Sequence, residues 1–292
     1  MYKTKNMGNT IVVNLDKAFL PLHHKGYDEL DYSLNRFSGG EINLKFKLDT
    51  KFTSKPKVII THRITNSDGL MTILIAQDAL KIEGFTEFEL IIPYIPYARQ
   101  DRKCDKGESF SLKIFTSILN NAYFDKVTVL DSHSDVAPAL IDNCINIDNS
   151  EYVEKTLNHI GKKMILISPD AGSNKKANKL ANKLHDKFTR LVKCDKVRDL
   201  KTGQLTGFEV FADDLNGEDC IIVDDICDGG GTFLGLAEIL KQKNCGDLYL
   251  FTSHGIYSRG FDQLNKTFKG IYTTNSFKDI SNIGVTQINL NM

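Results

Sequence analysis

The sequence has no surplus of charge of either sign, because Lys and Arg together number 37 and Asp and Glu also number 37. A protein that binds nucleic acid by neutralising its phosphate backbone usually carries a basic surplus. We therefore expect no nucleic acid partner. The hydrophobic share of 41% and the charged share of 25% are ordinary for a globular protein, which argues against intrinsic disorder.

Long apolar runs are also missing. No segment approaches the roughly 20 apolar residues that span a bilayer, and the start, MYKTKNMGNT, lacks the apolar stretch of a signal peptide. These absences predict no membrane partner and a cytoplasmic protein. The six cysteines include no CxxC pair, which leaves a zinc ribbon or a redox dithiol without support, and we expect them to be reduced thiols.

Short apolar segments alternate along the chain with segments of helical periodicity. This alternation predicts an α/β protein with two similar domains, each a mainly parallel sheet flanked by helices. The polar segment around 145–155 sets the expected domains at 1–148 and 149–292. Strands are predicted at 9–15, 57–62, 88–94, 126–133, 164–170, 220–225 and 247–254, and helices at 69–84, 113–122, 173–188 and 232–246.

Polar side chains cluster where several of these strands end. Asp131 and His133 end one strand, Asp170 another, and Asp224 with Asp225 a third. Ligands of open α/β sheets bind beyond the carboxyl ends of the strands, so we expect the functional site there.

The segment IIVDDICDGGGTF (221–233) is the strongest local signal. A buried strand delivers two carboxylates to a glycine turn, and a helix follows. Amide groups at the start of that helix favour a phosphate, and the two carboxylates suit vicinal sugar hydroxyls, so the segment predicts a ribose-phosphate site. A plain strand–turn–helix with Asp caps is the alternative. Neither a Walker A loop nor a GxGxxG fingerprint occurs in the sequence.

Six segments together resemble the ribose-phosphate diphosphokinases, also called phosphoribosyl pyrophosphate synthetases, of the type I phosphoribosyltransferase fold. The glycine-rich segment resembles the family's phosphoribosyl-pyrophosphate motif. The others are RFSGGE (36–41), IPYIPYARQDR (92–102), LDSHSD (130–135), SPDAG (168–172) and CDKVRD (194–199), and their order and rough spacing agree with the family from about residue 30 to 260.

The resemblance implies transfer of the β,γ-diphosphoryl group of ATP to the C1 hydroxyl of ribose 5-phosphate, with Mg²⁺ bridging the phosphates and AMP as the second product. It also implies a homo-oligomer, either a dimer or a hexamer. The first domain would bind ATP and the second the ribose phosphate.

The family's functional residues map onto definite positions of this chain. Lys196 and Arg198 would be the catalytic pair, and His133, Asp170 and Asp131 would hold the metal. The remaining positions are Phe37, Gly39, Glu41, Arg99, Gln100, Asp101 and His133 for ATP, and Asp224, Asp225, Asp228, Gly229, Gly230, Gly231 and Thr232 for the ribose phosphate. A structural histidine at 133, a charged surface at 190–202 and a core phenylalanine at 37 are the alternatives.

Two positions depart from the family pattern. Gly39 stands where the family has Asp or Asn near the adenine, and Gly229 stands where it has Thr or Ser beside the 5-phosphate. The second departure removes a hydroxyl and is expected to open space. We therefore keep a larger acceptor open, of which ADP-ribose is the obvious example, with a product that feeds nicotinamide salvage.

Two other classes of protein remain as alternatives. A phosphoribosyltransferase would consume the activated sugar but would not need RFSGGE and PYARQDR. A non-catalytic, diphosphokinase-like regulator would tolerate the loss of Lys196, Arg198 or His133, and all three are present. The charged segment 102–109 is predicted to be a loop that orders over the nucleotide.

Overall fold

The computed structural model describes residues 9–48, 52, 54–198 and 205–292. The chain forms two compact units, one of residues 1–147 with 289–292 and the other of residues 148–288. Each unit contains a largely parallel sheet with helices, which confirms the predicted fold class. In the described part of the chain, no helix is long and apolar enough to cross a membrane. The functional domains expected at 1–148 and 149–292 stay a prediction.

The first unit contains a six-stranded parallel sheet and a separate two-stranded hairpin. The sheet has the strand order β2-β1-β5-β6-β7-β8, and β3 and β4 form the antiparallel hairpin. The strands are β1 (Thr10–Asn14), β2 (Asp28–Glu29), β3 (Tyr32–Arg36), β4 (Ile42–Phe46), β5 (Lys57–Thr61), β6 (Phe88–Ile91), β7 (Lys126–Leu130) and β8 (Cys144–Ile147), and the helices are α1 (Ser67–Ile82), α2 (Ser111–Asn120) and α3 (Val136–Leu140).

Continuous apolar sequence explains the central strands of this sheet. In β1, β5 and β7 every residue after the first is buried, as expected for parallel strands covered on both faces. Asn66 caps α1, because its side chain accepts a hydrogen bond from the Gly69 amide at 3.2 Å.

The second unit has a seven-stranded sheet in the order β11-β10-β9-β12-β13-β14-β15. Only the pair β10–β11 is antiparallel among the pairings of this sheet that the structure describes. The strands are β9 (Met164–Ser168), β10 (Phe188–Arg198), β11 (Leu205–Val210), β12 (Cys220–Cys227), β13 (Leu248–Gly255), β14 (Gly270–Thr274) and β15 (Val285–Ile288), and the helices are α4 (Ser150–Ile160), α5 (Asn174–Lys183), α6 (Gly231–Gln242) and α7 (Asp262–Thr267).

The strands on either side of the central strand β12, namely β9 and β13, are buried along their whole length. Their neighbour β12 is buried except at Asp224 and Ile226, so the strand carries a partly exposed carboxylate out of an apolar core. Helix α6 covers the sheet with Phe233, Leu236 and Leu240, each at most 3% exposed.

The predicted strands and helices all occur, but several bounds differ. Strands β6, β7 and β9 end at Ile91, Leu130 and Ser168, before the polar residues that sequence reasoning included. Strand β12 instead continues to Cys227, so Asp224 and Asp225 lie inside it. The helix expected over 173–188 ends at Lys183, because the chain turns into β10 at Phe188.

Candidate active site

The turn of the β3–β4 hairpin carries the RFSGGE segment. Its backbone is closed by hydrogen bonds from the Phe37 amide to the Glu41 carbonyl at 3.0 Å and from the Gly40 amide to the Phe37 carbonyl at 2.9 Å. Arg36 fixes the hairpin against α1 through an ion pair with Asp68, 2.7 Å from Nη2 to Oδ2. The Phe37 side chain is 61% exposed, so the core alternative for this residue is wrong.

Gly39 and Glu41 are adapted to each other in this turn. A Cβ atom at position 39 would lie 2.6 Å from Oε2 and 2.9 Å from Oε1 of Glu41. The Glu41 carboxylate thus occupies the space next to Gly39, where relatives with Asp or Asn would place their own polar group. The turn still offers an acidic group there, although it comes from a different position.

The segment after β6 carries Arg99, Gln100 and Asp101 and is joined to the segment after β7. Ser134 donates its hydroxyl hydrogen to Asp101 at 2.6 Å, which brings Asp101 next to the His133 loop. Arg99 and Gln100 are exposed, and Asp101 is half-buried. Three residues that sequence reasoning assigned to ATP are therefore presented at the same edge of the first sheet as His133.

The loop after β7 presents His133 to solvent on a tightly bonded turn. Asp131 has a φ of 39° and is only 4% exposed, and its amide donates to Ile147 at 2.7 Å. Ser132 donates to the Ser134 carbonyl at 3.0 Å. His133 itself is exposed. The arrangement makes His133 accessible to a ligand, whereas Asp131 is withdrawn from solvent and shapes the turn.

Asp170 begins a turn after β9 that is fixed by its neighbours. Its Oδ1 accepts a hydrogen bond from the Ser173 amide at 3.0 Å, and its carbonyl accepts one from the Ser173 hydroxyl at 2.8 Å. The Ser173 hydroxyl also lies 2.7 Å from that of Ser168, which is fully buried. One carboxylate oxygen of Asp170 is thereby held by the turn, and the other is left for a partner.

That partner is Lys196. Its Nζ lies 2.6 Å from Asp170 Oδ2, with 24% and 22% of the two side chains exposed. Lys196 is on β10, next to β9, so adjacent strands deliver the two groups. The charge of Asp170 also contributes, after burial, to raising the pKa of the Cys194 thiol to about 12. The structure therefore brings together two residues that sequence reasoning had placed in different roles.

Arg198 ends β10, and the pairing with β11 shifts register between Val197 and Arg198. The expectation that Lys196 and Arg198 point the same way on a regular strand rests on strict alternation, which the shift interrupts. The side chain of Arg198 lies outside the described part of the structure. Its catalytic role stays a prediction.

The two carboxylates of β12 lie close to Asp170. The Asp225 amide donates to Oδ1 of Asp224 at 2.9 Å. Burial, followed by the charges of Asp225 and Asp170, raises the pKa of Asp224 well above its ordinary value. Asp225 is 6% exposed. Three carboxyl groups and one ammonium group are thus gathered at the carboxyl ends of β9, β10 and β12, where a polar or cationic ligand would relieve the repulsion.

The glycine turn leads from β12 into α6. Gly230 has a φ of 78°, in the left-handed region that favours glycine, and precedes the first helical residue, Gly231. Asp228 Oδ1 accepts a hydrogen bond from the Ser258 hydroxyl at 2.7 Å. The side chain of Arg259 lies beside Gly229, so the open space expected at this glycine is occupied.

The predicted metal residues do not form a complete protein-only site. Among the described residues, no group of three or more His, Cys, Asp or Glu side chains is arranged to hold a metal ion. Their oxygen donors still fit Mg²⁺, which usually keeps several waters and uses one or two carboxylates together with substrate phosphates.

Sequence reasoning missed three groups that organise this site. They are the hairpin turn that exposes Phe37, the Ser134 bond that positions Asp101, and the serine pair Ser168 and Ser173 that orients Asp170. The hairpin carried a signal in the alternation of YSLNR and INLKF, and the serine pair carried one because Asp and Ser side chains readily bond to nearby backbone groups. The Ser134 bond depends on a contact between distant segments.

Two family models match the chain. Residues 5–122 match the N-terminal domain of ribose phosphate pyrophosphokinase, and residues 143–271 match the phosphoribosyl transferase domain. A ribose-phosphate pyrophosphokinase of Bradyrhizobium diazoefficiens is 32% identical over 232 residues, which cover 78% of this chain and 71% of that protein. One from Mycoplasmopsis pulmonis is 29% identical over 263 residues, 88% of this chain and 80% of that protein.

A solved structure shares the fold over nearly the whole chain. The phosphoribosylpyrophosphate synthetase of Mycobacterium smegmatis superimposes with a TM-score of 0.79, covering 97% of this chain and 95% of that one, at 23% sequence identity. The matched domains and the curated relatives agree with the six sequence segments quoted above. The chain therefore belongs to the ribose-phosphate pyrophosphokinase family.

Proposed function

We propose that the chain is a ribose-phosphate diphosphokinase, which converts ATP and ribose 5-phosphate to phosphoribosyl pyrophosphate and AMP. One structural observation supports the proposal in addition to family membership. The ammonium of Lys196 lies 2.6 Å from Asp170, next to the carboxyl groups of Asp224 and Asp225. A cation and a set of sugar-binding carboxylates at one sheet edge suit transfer of a polyanion to a sugar hydroxyl.

In this reaction the C1 hydroxyl oxygen attacks the β-phosphorus of ATP. The bond between that phosphorus and the oxygen bridging to the α-phosphate breaks, and AMP leaves with that oxygen. The hydroxyl proton is released as the new C1–O–P linkage forms. Phosphoryl transfer of this kind depends on positioning and charge stabilisation more than on covalent help from the protein.

Lys196 is the proposed charge stabiliser. In the free protein its ammonium is balanced by Asp170, and a bound triphosphate offers a stronger anion at the same sheet edge. Lys196 then neutralises charge that builds on the transferred group, together with Arg198. Asp224 and Asp225 accept hydrogen bonds from the sugar hydroxyls, and the amides of the turn 229–232 receive the 5-phosphate at the start of α6.

On the nucleotide side, the exposed groups Arg99 and Gln100 are proposed to bind the phosphates and the sugar of ATP, with Asp101 positioned by Ser134. Phe37 and Glu41 of the hairpin turn are proposed to receive the adenine. Exposure favours these roles, since a binding group must be accessible in the free protein.

The family uses ATP with Mg²⁺, and we propose His133 in the first unit and Asp170 in the second as candidate contacts of the ion, each considered within its own unit. When bound, the ion would neutralise the phosphate oxygens during transfer. The contact of His133 would run partly through water, because Mg²⁺ prefers oxygen donors.

Release of AMP from ATP, Mg²⁺ and ribose 5-phosphate tests the proposal. We expect turnover that requires all three components. A non-catalytic regulator would release none, and a phosphoribosyltransferase would consume phosphoribosyl pyrophosphate in the presence of a base instead. ADP-ribose should be tested in parallel, because it carries the same free C1 hydroxyl as ribose 5-phosphate with a longer substituent on C5.

A further inference from the structure

Arg259 and Gly229 lie in direct contact, although thirty positions separate them in the sequence. A Cβ atom at position 229 would lie 3.2 Å from Nε, 3.3 Å from Cδ and 3.6 Å from Cγ of Arg259. Gly229 is not among the glycines with positive φ, so its backbone does not itself require glycine. A larger residue at this position would require the exposed Arg259 side chain to shift by a few tenths of an ångström.

The turn that carries Arg259 is bonded directly to the glycine-rich loop. The amides of Ile256 and Tyr257 both donate to the Cys227 carbonyl, at 2.9 and 3.1 Å. Ser258 donates to Asp228 twice, from its amide to the carbonyl at 3.0 Å and from its hydroxyl to the carboxylate at 2.7 Å. These bonds hold the main chain of the turn that carries Arg259 beside the glycine-rich loop.

The charge of Arg259 is not balanced within the described part of the chain, where no carboxylate lies within ion-pair distance of it. Other arginines differ in this respect, since Arg36, Arg63 and Arg190 each pair with an acidic side chain. Arg259 is exposed. An uncompensated guanidinium next to amides at a helix N-terminus adds to the attraction for an anion.

We propose that Arg259 is a specificity-determining residue that binds the phosphate on C5 of the acceptor sugar. This inference rests on the proposed function, because the turn at 228–232 is the proposed phosphate site. The Nε donor of Arg259 lies where a side chain at position 229 would begin, beside the amides of the turn. A charged donor at this place favours an anionic group on C5 of the acceptor.

Steady-state kinetics of Arg259→Met provide the test, because methionine retains part of the apolar stem and removes the charge. We expect the KM for ribose 5-phosphate to rise by about tenfold or more, as for loss of a charged hydrogen bond, with kcat and the KM for ATP nearly unchanged. The KM of Arg259→Lys for ribose 5-phosphate should lie between the values of the wild-type protein and of Arg259→Met. Arg190→Met is the matched control, since it removes one exposed arginine of the same unit.

A double-mutant cycle separates a shared site from a structural effect. Gly229→Thr alone must displace Arg259 and should weaken acceptor binding, and Arg259→Ala alone should do the same. The double variant restores a hydroxyl where the arginine has gone, so we expect it to bind the acceptor better than either single variant. Purely additive losses would contradict the proposal.

The same variants tested with ADP-ribose report on acceptor length. A larger loss for ADP-ribose than for ribose 5-phosphate would support contact with the part of the substituent that only ADP-ribose has. An equal loss would support contact with the phosphate common to both acceptors. Equal KM values in Arg259→Met and Arg190→Met for both acceptors would overturn the role of Arg259.

Failure of the proposed function gives a different result. If the wild-type protein released no AMP with either acceptor, the diphosphokinase activity would be wrong. Calorimetric binding of ribose 5-phosphate and ADP-ribose would then test Arg259 alone. A Kd at least about tenfold weaker in Arg259→Met than in Arg190→Met would support the assignment, whereas equal Kd values or no binding to the wild-type protein would overturn it.

Discussion

At the scale of single residues, the proposed chemistry depends on the ion pair of Lys196 and Asp170. Lys196 on β10 and Asp170 in the turn after β9 place the ammonium and the carboxylate 2.6 Å apart. A cation that is already in position needs little rearrangement when charge develops on the transferred group. Such preorganisation is the basis of electrostatic catalysis.

Lys196→Ala should lower kcat for AMP release by about 100-fold or more, because one charge stabiliser is lost from the transition state. Lys193→Ala is the control, since this exposed lysine lies on the same strand. An unchanged kcat in Lys196→Ala would remove the residue from the role proposed for it.

Asp224 gives a prediction about stability. Its pKa is raised in the folded protein, so the native state binds a proton more tightly than the unfolded state. Stability is therefore lost as pH rises from the ordinary value of 3.8 through the raised pKa. Asp224→Asn, which cannot ionise, should raise the melting temperature at pH 7.5, by about 2–4 °C for each kcal/mol relieved.

The same substitution should weaken acceptor binding, because asparagine offers the sugar hydroxyls one accepting oxygen and no charge. The melting-temperature difference between Asp224→Asn and wild type should shrink as the pH approaches 4, where the wild-type carboxyl is protonated. Calorimetric melting at several pH values provides the measurement. A variant that is less stable at pH 7.5 would show that Asp224 is favourably paired in its charged form.

At the scale of elements, the central strands and the glycine turn were predictable from sequence. β12 combines a buried apolar run with carboxylates and a glycine turn, so its burial in the sheet follows from local sequence, whereas its ligand class stays a prediction. The hairpin β3–β4 was missed although YSLNR and INLKF alternate apolar and polar residues, which is the pattern of a half-buried strand. β10 was missed because charged residues interrupt its apolar pattern.

Contacts between distant segments limited the prediction of the site. The Asp101–Ser134 and Lys196–Asp170 contacts follow from strand order, which periodicity does not give. The contact between Arg259 and Gly229 could not be predicted from sequence either. It depends on hydrogen bonds to Cys227 and Asp228, which form only in the folded chain. The family resemblance identified the residues but not these partners.

The loop 102–109 gives a prediction at this scale. Its exposed backbone is held mainly by Glu108, whose carboxylate accepts hydrogen bonds from the amides of Cys104 and Asp105, both at 3.0 Å. If the loop closes over the nucleotide, trypsin cleavage at Arg102, Lys103 and Lys106 should slow when ATP and Mg²⁺ are saturating. Ribose 5-phosphate alone should give no protection. Equal cleavage rates with and without ATP would contradict closure.

For the whole molecule, pH should affect stability through a histidine of the first unit. Burial lowers the pKa of His62 to about 4, and its Nδ1 has no hydrogen-bond partner in the described structure. Protonation of His62 is less favourable in the folded protein than in the unfolded chain. The stability that this difference provides is therefore present above pH 6.5, the ordinary pKa of histidine, and is lost as pH falls towards 4.

His62→Gln should remove that part of the acid sensitivity, whereas His185→Gln, which changes an exposed histidine, should leave it unchanged. Urea unfolding at pH 7.5 and pH 5 measures the difference. An equal loss of stability on acidification in wild type and His62→Gln would show that His62 does not contribute to it.

The stoichiometry of the complete reaction tests the central claim most directly. ATP labelled in its γ-phosphate would be incubated with Mg²⁺, the wild-type protein and each acceptor, and the products followed by phosphorus NMR and mass spectrometry. The account predicts AMP and a 1-diphosphorylated sugar in equal amounts, with the label in the sugar product. Formation of ADP with a singly phosphorylated product, or no turnover of either acceptor, would contradict it.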